Sequence, residues 1–387
     1  MVQDKKKIKT IIASQYFLYF GVMGISLPYF NLYCYHINLS GFEIGILSAT
    51  RSLTMILFPI MWSIIADRFN ARRPIYILCN FVSAGIWAFY LYTDHFQAML
   101  LITICYGFFF TPVISFLEAF TMDILAGEKK SYGRIRVWGT ISFILVTTFL
   151  GVLIDYFPIK IIIILILAGS LVQALISTKI PGTVIRRDLN RREVKKFLNK
   201  RLLIFLFCGF LMLMSHGAYY CFFSIHLKRL GYGNTFIGIA WALASVSEIL
   251  VMVNSDRIFR KISLEKVLLF SFIAAALRWF ILYSTESPYL ILFSQIFHAI
   301  TYGTFHMASI LYIDMLTDDF NKTFGQAVNN AVSYGLGMMV GFLLSGYLYG
   351  KIGSPSLFLM SRVIALIGGI GLWGFGFLTG KSVPVSN

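Results

Sequence analysis

The sequence predicts an all-α membrane protein with about twelve transmembrane helices. Of its 387 residues, 58% are apolar and only 13% are charged, and the mean hydropathy is +0.77. Soluble domains carry about 25% charged residues. The apolar residues form runs of about 20, the length that a helix needs to cross the core of a bilayer. We therefore expect lipid to solvate most of the surface of this chain.

Breaks between the apolar runs place the twelve spans. Short polar or basic stretches separate one run from the next, and a helix boundary is expected at each of them. The first six spans are expected near residues 11–35, 44–66, 74–93, 97–121, 133–154 and 158–178. The second six are expected near residues 202–227, 235–255, 264–284, 288–312, 324–349 and 355–378.

Lysine and arginine are divided unequally between the two sides of the predicted spans. An even number of spans puts both termini on one side. Of the 33 Lys and Arg residues, 25 fall on that side, four on the other and four within spans (25 + 4 + 4 = 33). Because short cytoplasmic loops are enriched in Lys and Arg, both termini are predicted to be cytoplasmic. We expect the membrane itself to be a bacterial inner membrane.

Composition argues against several other classes of protein. The net charge of +16 could indicate nucleic-acid binding, but the basic residues lie in gaps between apolar runs and form no soluble surface. The five cysteines fall within apolar segments, without the spacing of a metal site or a disulfide framework. We find no nucleophile–base set or phosphate loop, so we expect no enzyme activity and no cofactor.

An internal repeat divides the chain into two halves. The basic stretch 179–201 separates a predicted six-helix bundle at 1–178 from a second at 202–387. The tripeptide Ile-Gly-Ile begins the second and the eighth span, and Asp-Arg ends both; the offsets between the copies are 237 − 44 = 193 and 256 − 67 = 189. A parallel repeat of this kind is typical of carriers whose site lies between two halves.

Glu118 and Arg136 form the first candidate site. A charge in mid-membrane costs about 2.5–3.5 kcal/mol on insertion scales, so it usually has a partner or a function. Each residue lies nine positions from Gly127 in the turn between the fourth and fifth spans, which is roughly 13 Å deep in a helix. The two side chains are predicted to face one another. An ion pair that only braces the hairpin is the alternative.

Glu248, Arg278 and His298 form the second candidate site. Arg278 and His298 each lie ten residues from Pro288, in the turn between the ninth and tenth spans, and Glu248 is on the eighth span. A carboxylate, a guanidinium and an imidazole in one dry cavity could exchange a proton. A hydrogen-bonded core histidine is an equally good interpretation of His298. Four further charged or titratable residues stand out within spans: Arg51, Arg362, His216 and His306.

Two more features carry functional expectations. After the second span, Asp67, Arg68, Arg72 and Arg73 place an acid before a compact basic turn. This could be simple positive-inside anchoring, but a carboxylate here could also bond a neighbouring helix and stabilise one conformation. Aromatic residues crowd the first span around Pro28, and Tyr29 is expected to line a solute cavity.

Together these residues resemble the major facilitator superfamily, and within it the lactose permease and its relatives, including phenylpropionate and nucleoside proton symporters. The most specific match is Glu118-Ala119-Phe120 followed by Tyr132-Gly133-Arg134-Ile135-Arg136. The resemblance implies a major facilitator fold. It also implies that Glu118 and Arg136 bind substrate and that Phe143 replaces a sugar-stacking tryptophan. Glu248, Arg278 and His298 match further polar positions of the permease.

The sequence also departs from that pattern. Thr301 stands where the permease has its proton-carrying glutamate, Gly217 and Tyr220 replace acidic residues, and Trp62 replaces a glycine of the loop motif. Proton coupling must then use Glu248, Glu118 or a histidine, or be absent.

We accordingly expect a monomeric carrier that moves a small polar or aromatic solute, such as a sugar, nucleoside or aromatic acid, by alternating access in symport with protons. A proton-driven exporter, a transport-inactive sensor and, least of all, an intramembrane enzyme are the alternatives.

Overall fold

The computed structural model describes residues 2–125, 132–181, 200–317 and 322–379, and every regular element in these ranges is helical. The greater part of the predicted linker 179–201 lies outside the described residues. Helix α2 shows how the sequence begins an element: Ser40 accepts a hydrogen bond from the Glu43 amide, while the Glu43 carboxylate accepts one from the Ser40 amide. This reciprocal capping satisfies two amides that a helix start leaves without partners.

The first half of the chain supplies six helices. They are α1 (Val2–His36), α2 (Gly41–Arg68), α3 (Arg72–Trp87) with a 3₁₀ turn at Ala88–Leu91, α4 (Phe96–Ile124), α5 (Tyr132–Tyr156) and α6 (Ile161–Ser177).

The second half contains more breaks within its spans. Its α-helices are α7 (Lys200–Ser215), α8 (Gly217–Arg229), α9 (Asn234–Lys261), α10 (Leu264–Ser284), α11 (Pro288–Ile296), α12 (Phe305–Leu316), α13 (Lys322–Asn329) and α14 (Met338–Thr379). Two π-helical segments, Ala299–Thr304 and Asn330–Gly337, connect α11 to α12 and α13 to α14.

All twelve predicted spans are found in the described residues. Nine helical stretches there are long and apolar enough to cross a membrane, and the shorter apolar helix α6 is a tenth element. One of the nine, Phe324–Gly374, contains two spans, because Gly353 (φ 72°) and Pro355 break it. The π segment at Ala299–Thr304 divides the remaining span between α11 and α12. The all-α membrane fold is confirmed.

The chain separates into two compact units. Unit 1 comprises Met1–Leu189 together with Tyr232–Ala242, and unit 2 comprises Asn190–Gly231 together with Leu243–Asn387. The first turns of α9 therefore group with unit 1 and the rest of α9 with unit 2. The sequence repeat gave no indication of this sharing.

Unit 1 is built around α1, which packs against α5 and α6, while α4 packs against α2 and α3. Its core is unusually aromatic, with Tyr16, Tyr76 and Phe120 almost fully buried. A Cβ added to Gly139 on α5 would lie 2.5 Å from Cδ2 of Phe20, so only glycine allows α1 and α5 to approach this closely.

Unit 2 is built around α14, which packs against α7, α8 and α10. Trp279 on α10 is completely buried, and Phe222 on α8 stacks on Tyr349 of α14 at 4.4 Å between ring centres. The polar residues described below lie inside this apolar surround.

Candidate functional site

The charged pair predicted in unit 1 is not joined by an ion pair. Within the described ranges, no nitrogen of Arg136 lies within 4.0 Å of a carboxylate oxygen of Glu118. The Arg136 guanidinium instead lies 3.8 Å from the centre of the Phe20 ring and 5.6 Å from that of Tyr16, both on α1. Cation–π contacts thus hold Arg136 toward α1. The side chain of Glu118 is exposed.

The other predicted substrate residues of unit 1 are buried. Phe143 on α5 is 9% exposed. The Tyr29 hydroxyl is fully buried, 3.0 Å from the Thr147 carbonyl oxygen and 3.3 Å from that of Asn234. In this structure Tyr29 therefore connects α1 to α5 and to the start of α9.

The predicted gating residues form bonds within unit 1. The Asp67 carboxylate accepts a hydrogen bond of 2.8 Å from Nε of Arg72, which begins α3. Arg72 also lies 3.9 Å from Asp123 on α4. Arg73 donates to the carbonyl oxygens of Ile180 and Thr178, and the Arg68 guanidinium lies over the Phe69 ring. These contacts connect the ends of α2, α3, α4 and α6.

The second predicted set comes together as a continuous chain in unit 2. Nε2 of His298 lies 2.8 Å from a Glu248 carboxylate oxygen, and Nδ1 of the same ring lies 2.7 Å from Nη1 of Arg278. His298 and Arg278 are buried, while the Glu248 side chain keeps 21% of its surface exposed. The equal spacing of Arg278 and His298 from Pro288 anticipated this contact.

The geometry assigns the tautomer of His298. An arginine guanidinium is a donor only, so Nδ1 must accept from Arg278 and carries no proton. Nε2 then carries the proton and donates it to Glu248. The imidazole is therefore neutral and bridges an anion and a cation.

Several polar residues that the sequence did not single out as site residues complete the cluster. Arg278 donates to Thr301 Oγ1 at 3.3 Å and to Gln295 Oε1 at 3.1 Å, and Gln295 also accepts from the Tyr219 hydroxyl at 2.9 Å. The guanidinium lies 4.2 Å from the centre of the Tyr219 ring. The only sequence signal for Gln295 and Tyr219 is a polar group in an apolar run, which many packing residues share.

Two further histidines of unit 2, His216 and His306, lie near the contacts between Glu248, His298 and Arg278. His216 contacts the Met212 carbonyl oxygen through Nδ1 at 2.9 Å and Thr301 Oγ1 through Nε2 at 3.4 Å. His306 contacts the Tyr334 hydroxyl at 2.8 Å. Thr301 and Tyr334 both belong to the π-helical segments, a rare geometry that often occurs at functional sites.

A metal has no evident ligands here. No group of three or more His, Cys, Asp or Glu side chains in the described ranges could hold one, and the cysteines described there are free.

Comparison with known proteins identifies the family. A family model described as "MFS_1 like family" matches residues 10–360. The chain belongs to the MFS_1 like family. The predicted resemblance to the major facilitator superfamily is thereby confirmed, and the chain is a membrane transporter and no enzyme.

Relatives of this MFS_1 like chain are permeases. It is 27% identical over 363 residues to the probable 3-phenylpropionic acid transporter of Escherichia coli (strain K12), covering 91% of this chain and 94% of that one. It is 24% identical over 371 residues to the maltose permease of Geobacillus stearothermophilus, and the match covers 93% of this chain and 92% of that permease. The crystal structure of a mutant of the nucleoside transporter NupG matches this fold with a TM-score of 0.87 at 17% identity. The match covers 95% of this chain and 99% of that one. That structural likeness confirms the major facilitator fold.

Proposed function

We propose that this chain is a proton-coupled symporter that moves a small organic solute across the membrane by alternating access. The relatives' names include an aromatic acid, a sugar and nucleosides, and they support a solute from one of these classes. The excess of Lys and Arg on one side supports cytoplasmic termini. The bacterial relatives support a bacterial inner membrane. We propose that the monomer is the working unit.

The chain Glu248–His298–Arg278 carries the proposal of proton coupling. Arg278 occupies Nδ1 of His298, so the imidazole cannot take up a second proton while that contact persists. Glu248 is the only carboxylate among these three residues, and its side chain is partly exposed. Glu248 therefore carries the proton, while His298 and Arg278 position its carboxylate. Thr301 cannot carry it, because a hydroxyl is not a base in this range of pH.

Unit 1 supplies the proposed solute contacts. The exposed Glu118 carboxylate can accept hydrogen bonds from solute hydroxyl or amine groups. Arg136 lies on the Phe20 ring, and its planar guanidinium can donate paired hydrogen bonds to solute oxygens. Phe143 and Tyr29 are buried, and the Tyr29 hydroxyl bonds the Thr147 carbonyl oxygen, so Tyr29 supports the helix that carries Arg136.

Transport by purified protein in proteoliposomes tests the coupling. A solute is first identified by its effect on melting temperature, because a ligand that binds only the folded state raises it. Wild-type protein should accumulate that solute under an inward proton gradient. Glu248→Gln should lose the accumulation and keep counterflow exchange, since exchange needs no net proton movement. Glu265→Gln, which changes a carboxylate at the start of α10, is the matched control.

Two outcomes would contradict the proposal. Accumulation by Glu248→Gln at the wild-type level would remove Glu248 from the coupling. Efflux driven by the same gradient would identify an exporter, and ligand binding without any accumulation by wild-type protein would identify a sensor.

A further inference from the structure

Arg51 is a cation inside unit 1 that the proposed coupling and solute contacts do not use. It lies on α2, and 51 − 41 = 10 residues separate it from Gly41, where the helix begins. That distance is about 15 Å along the helix axis, which places the residue well inside the hydrocarbon region. A charge at this depth needs a partner or a function.

Neutral groups fix the orientation of the Arg51 guanidinium. Nη2 donates to Oδ1 of Asn31 at 2.6 Å and lies 3.5 Å from Ser48 Oγ. The guanidinium carbon lies 4.7 Å from the centre of the Phe30 ring. Nε is buried without a hydrogen-bond partner, whereas Nη1 is not fully buried and bonds to no described residue. The fork is therefore held in place with one amino group open.

Arg51 has no counterion in the part of the chain that the structure describes. The ion pairs found there join Arg72 to Asp67 and Asp123, Lys160 to Asp94, and His298 to Glu248. The amide of Asn31 and the ring of Phe30 stabilise the cation without cancelling its charge. An anion at Nη1 would cancel it.

The surroundings of Arg51 favour an organic anion. Phe30 packs against Trp87 at 5.5 Å and against Tyr90 at 5.4 Å between ring centres, so the guanidinium borders an aromatic cluster. Charge pairs are stronger in such low-dielectric surroundings than in water. Met55 lies one turn further along α2 and is 57% exposed, which offers an adaptable apolar contact on the same side of the helix.

We propose that Arg51 binds the carboxylate of the transported solute, and that this solute is an organic monocarboxylate with an apolar body such as an aryl group. One guanidinium neutralises one carboxylate, whereas a dianion would leave a net charge in the dry site. The inference rests on the proposed function, since it names the solute class of the same carrier. If Glu248 carries one proton per solute, the transported pair is uncharged.

Binding measurements on purified full-length protein test Arg51 without any proton gradient. The probes are benzoate, phenylacetate and longer aryl monocarboxylates, each compared with its neutral amide. The acids should raise the melting temperature of wild-type protein, and the amides of the same shape should not. Arg51→Gln should weaken binding of the acid at least tenfold, and Arg51→Lys should weaken it less.

Arg362→Gln is the matched control. Arg362 also lies over a phenyl ring, at 4.4 Å from the centre of Phe280, but it makes no hydrogen bond or ion pair with a described residue that would orient its guanidinium. This variant should bind the acid like wild-type protein. Because Arg51→Gln could fail to fold, its melting temperature without ligand and the wild-type comparison of acid with amide are measured as well.

The outcomes separate this inference from the proposed proton coupling. Equal binding of acid and amide, no binding of any acid by wild-type protein, or undiminished binding by Arg51→Gln would overturn the role of Arg51. Binding that depends on Arg51, together with acid accumulation that ignores the pH gradient, would instead overturn the coupling. If both the Arg51 inference and the proton coupling are correct, accumulation of the acid should depend on the pH gradient. It should not depend on a membrane potential set by potassium and valinomycin, because the transported pair is uncharged.

Discussion

The backbone of α8 at Gly217 touches the backbone of α14 at Gly341. A Cβ added to Gly217 would lie 2.6 Å from Cα of Gly341, and the atoms that it meets are backbone atoms, which cannot rotate away. The permease that the sequence resembles has an acidic residue at this position, and here the position is occupied by close helix packing.

Gly217→Ala should therefore destabilise unit 2. Overpacking of this kind typically costs about 1–3 kcal/mol, and here the helices must separate to relieve it. A lower melting temperature of purified protein is the expected result. Gly85→Ala on α3 is the control, since a Cβ there meets no atom within 4 Å and should leave stability unchanged or slightly higher. Equal melting temperatures for both variants would contradict the close packing.

His298 should carry its proton on Nε2. Nδ1 accepts from Arg278, and Nε2 donates to Glu248. Nitrogen-15 chemical shifts of histidine-labelled protein at pH 7 distinguish the two neutral tautomers and the imidazolium, and the signal missing from His298→Gln provides the assignment. A proton on Nδ1 would refute the bridge.

Arg136→Lys and Glu118→Gln should each weaken solute binding strongly while leaving the melting temperature near the wild-type value. Lysine keeps the charge of Arg136 but loses the planar fork, and glutamine keeps the shape of Glu118 but loses its charge. The double exchange Glu118→Arg with Arg136→Glu should also fail, because no ion pair joins the residues and Arg136 needs the Phe20 ring. Transport restored by the double exchange would show that the two charges only brace α4 and α5.

Asp67→Asn should slow transport while changing stability by less than about 1 kcal/mol. The carboxylate bonds Arg72 in a partly exposed pair, and Arg72 keeps Asp123 as a second partner, so the loss should cost little free energy of unfolding. Its loss should instead shift the balance between conformations. Turnover in proteoliposomes and equilibrium ligand affinity are measured together, and Asp94→Asn, which removes the exposed pair with Lys160, is the control. Affinity lost as completely as turnover would argue against a gating role.

Reporter fusions test the orientation. A reporter after Asn190 should be cytoplasmic, and one near Asn38, between α1 and α2, should be external. Opposite locations would reverse the proposed topology.

The depth of each site residue could be predicted from the sequence, but the direction of its side chain could not. Depth depends only on the rise of about 1.5 Å per residue from a turn. Direction depends on helix rotation, which tertiary packing decides. The same arithmetic thus anticipated the contact of Arg278 with His298, yet it missed the contact of Arg136 with Phe20, which arises because Gly139 lets α5 approach α1.

The span boundaries were predictable because Gly, Pro and basic residues mark them, as Gly353 and Pro355 do between the last two spans. The sharing of α9 between two units was not, since the repeat 237–239 resembles 44–46 in sequence alone. The orienting contacts of Arg51 were equally hidden, because Asn31 and Phe30 lie on another helix.

The π segment at Ala299–Thr304 determines how far α12 is rotated about the helix axis relative to α11. Each wide turn takes up about one residue more than an α turn, so the side chains after it are rotated relative to an uninterrupted helix. Deleting a single residue from this segment would keep the composition and nearly the length of the span. It would nevertheless turn His306 away from Tyr334 while His298 stayed beside Arg278. Alignments that ignore the wide turn will compare residues on different faces of the helix.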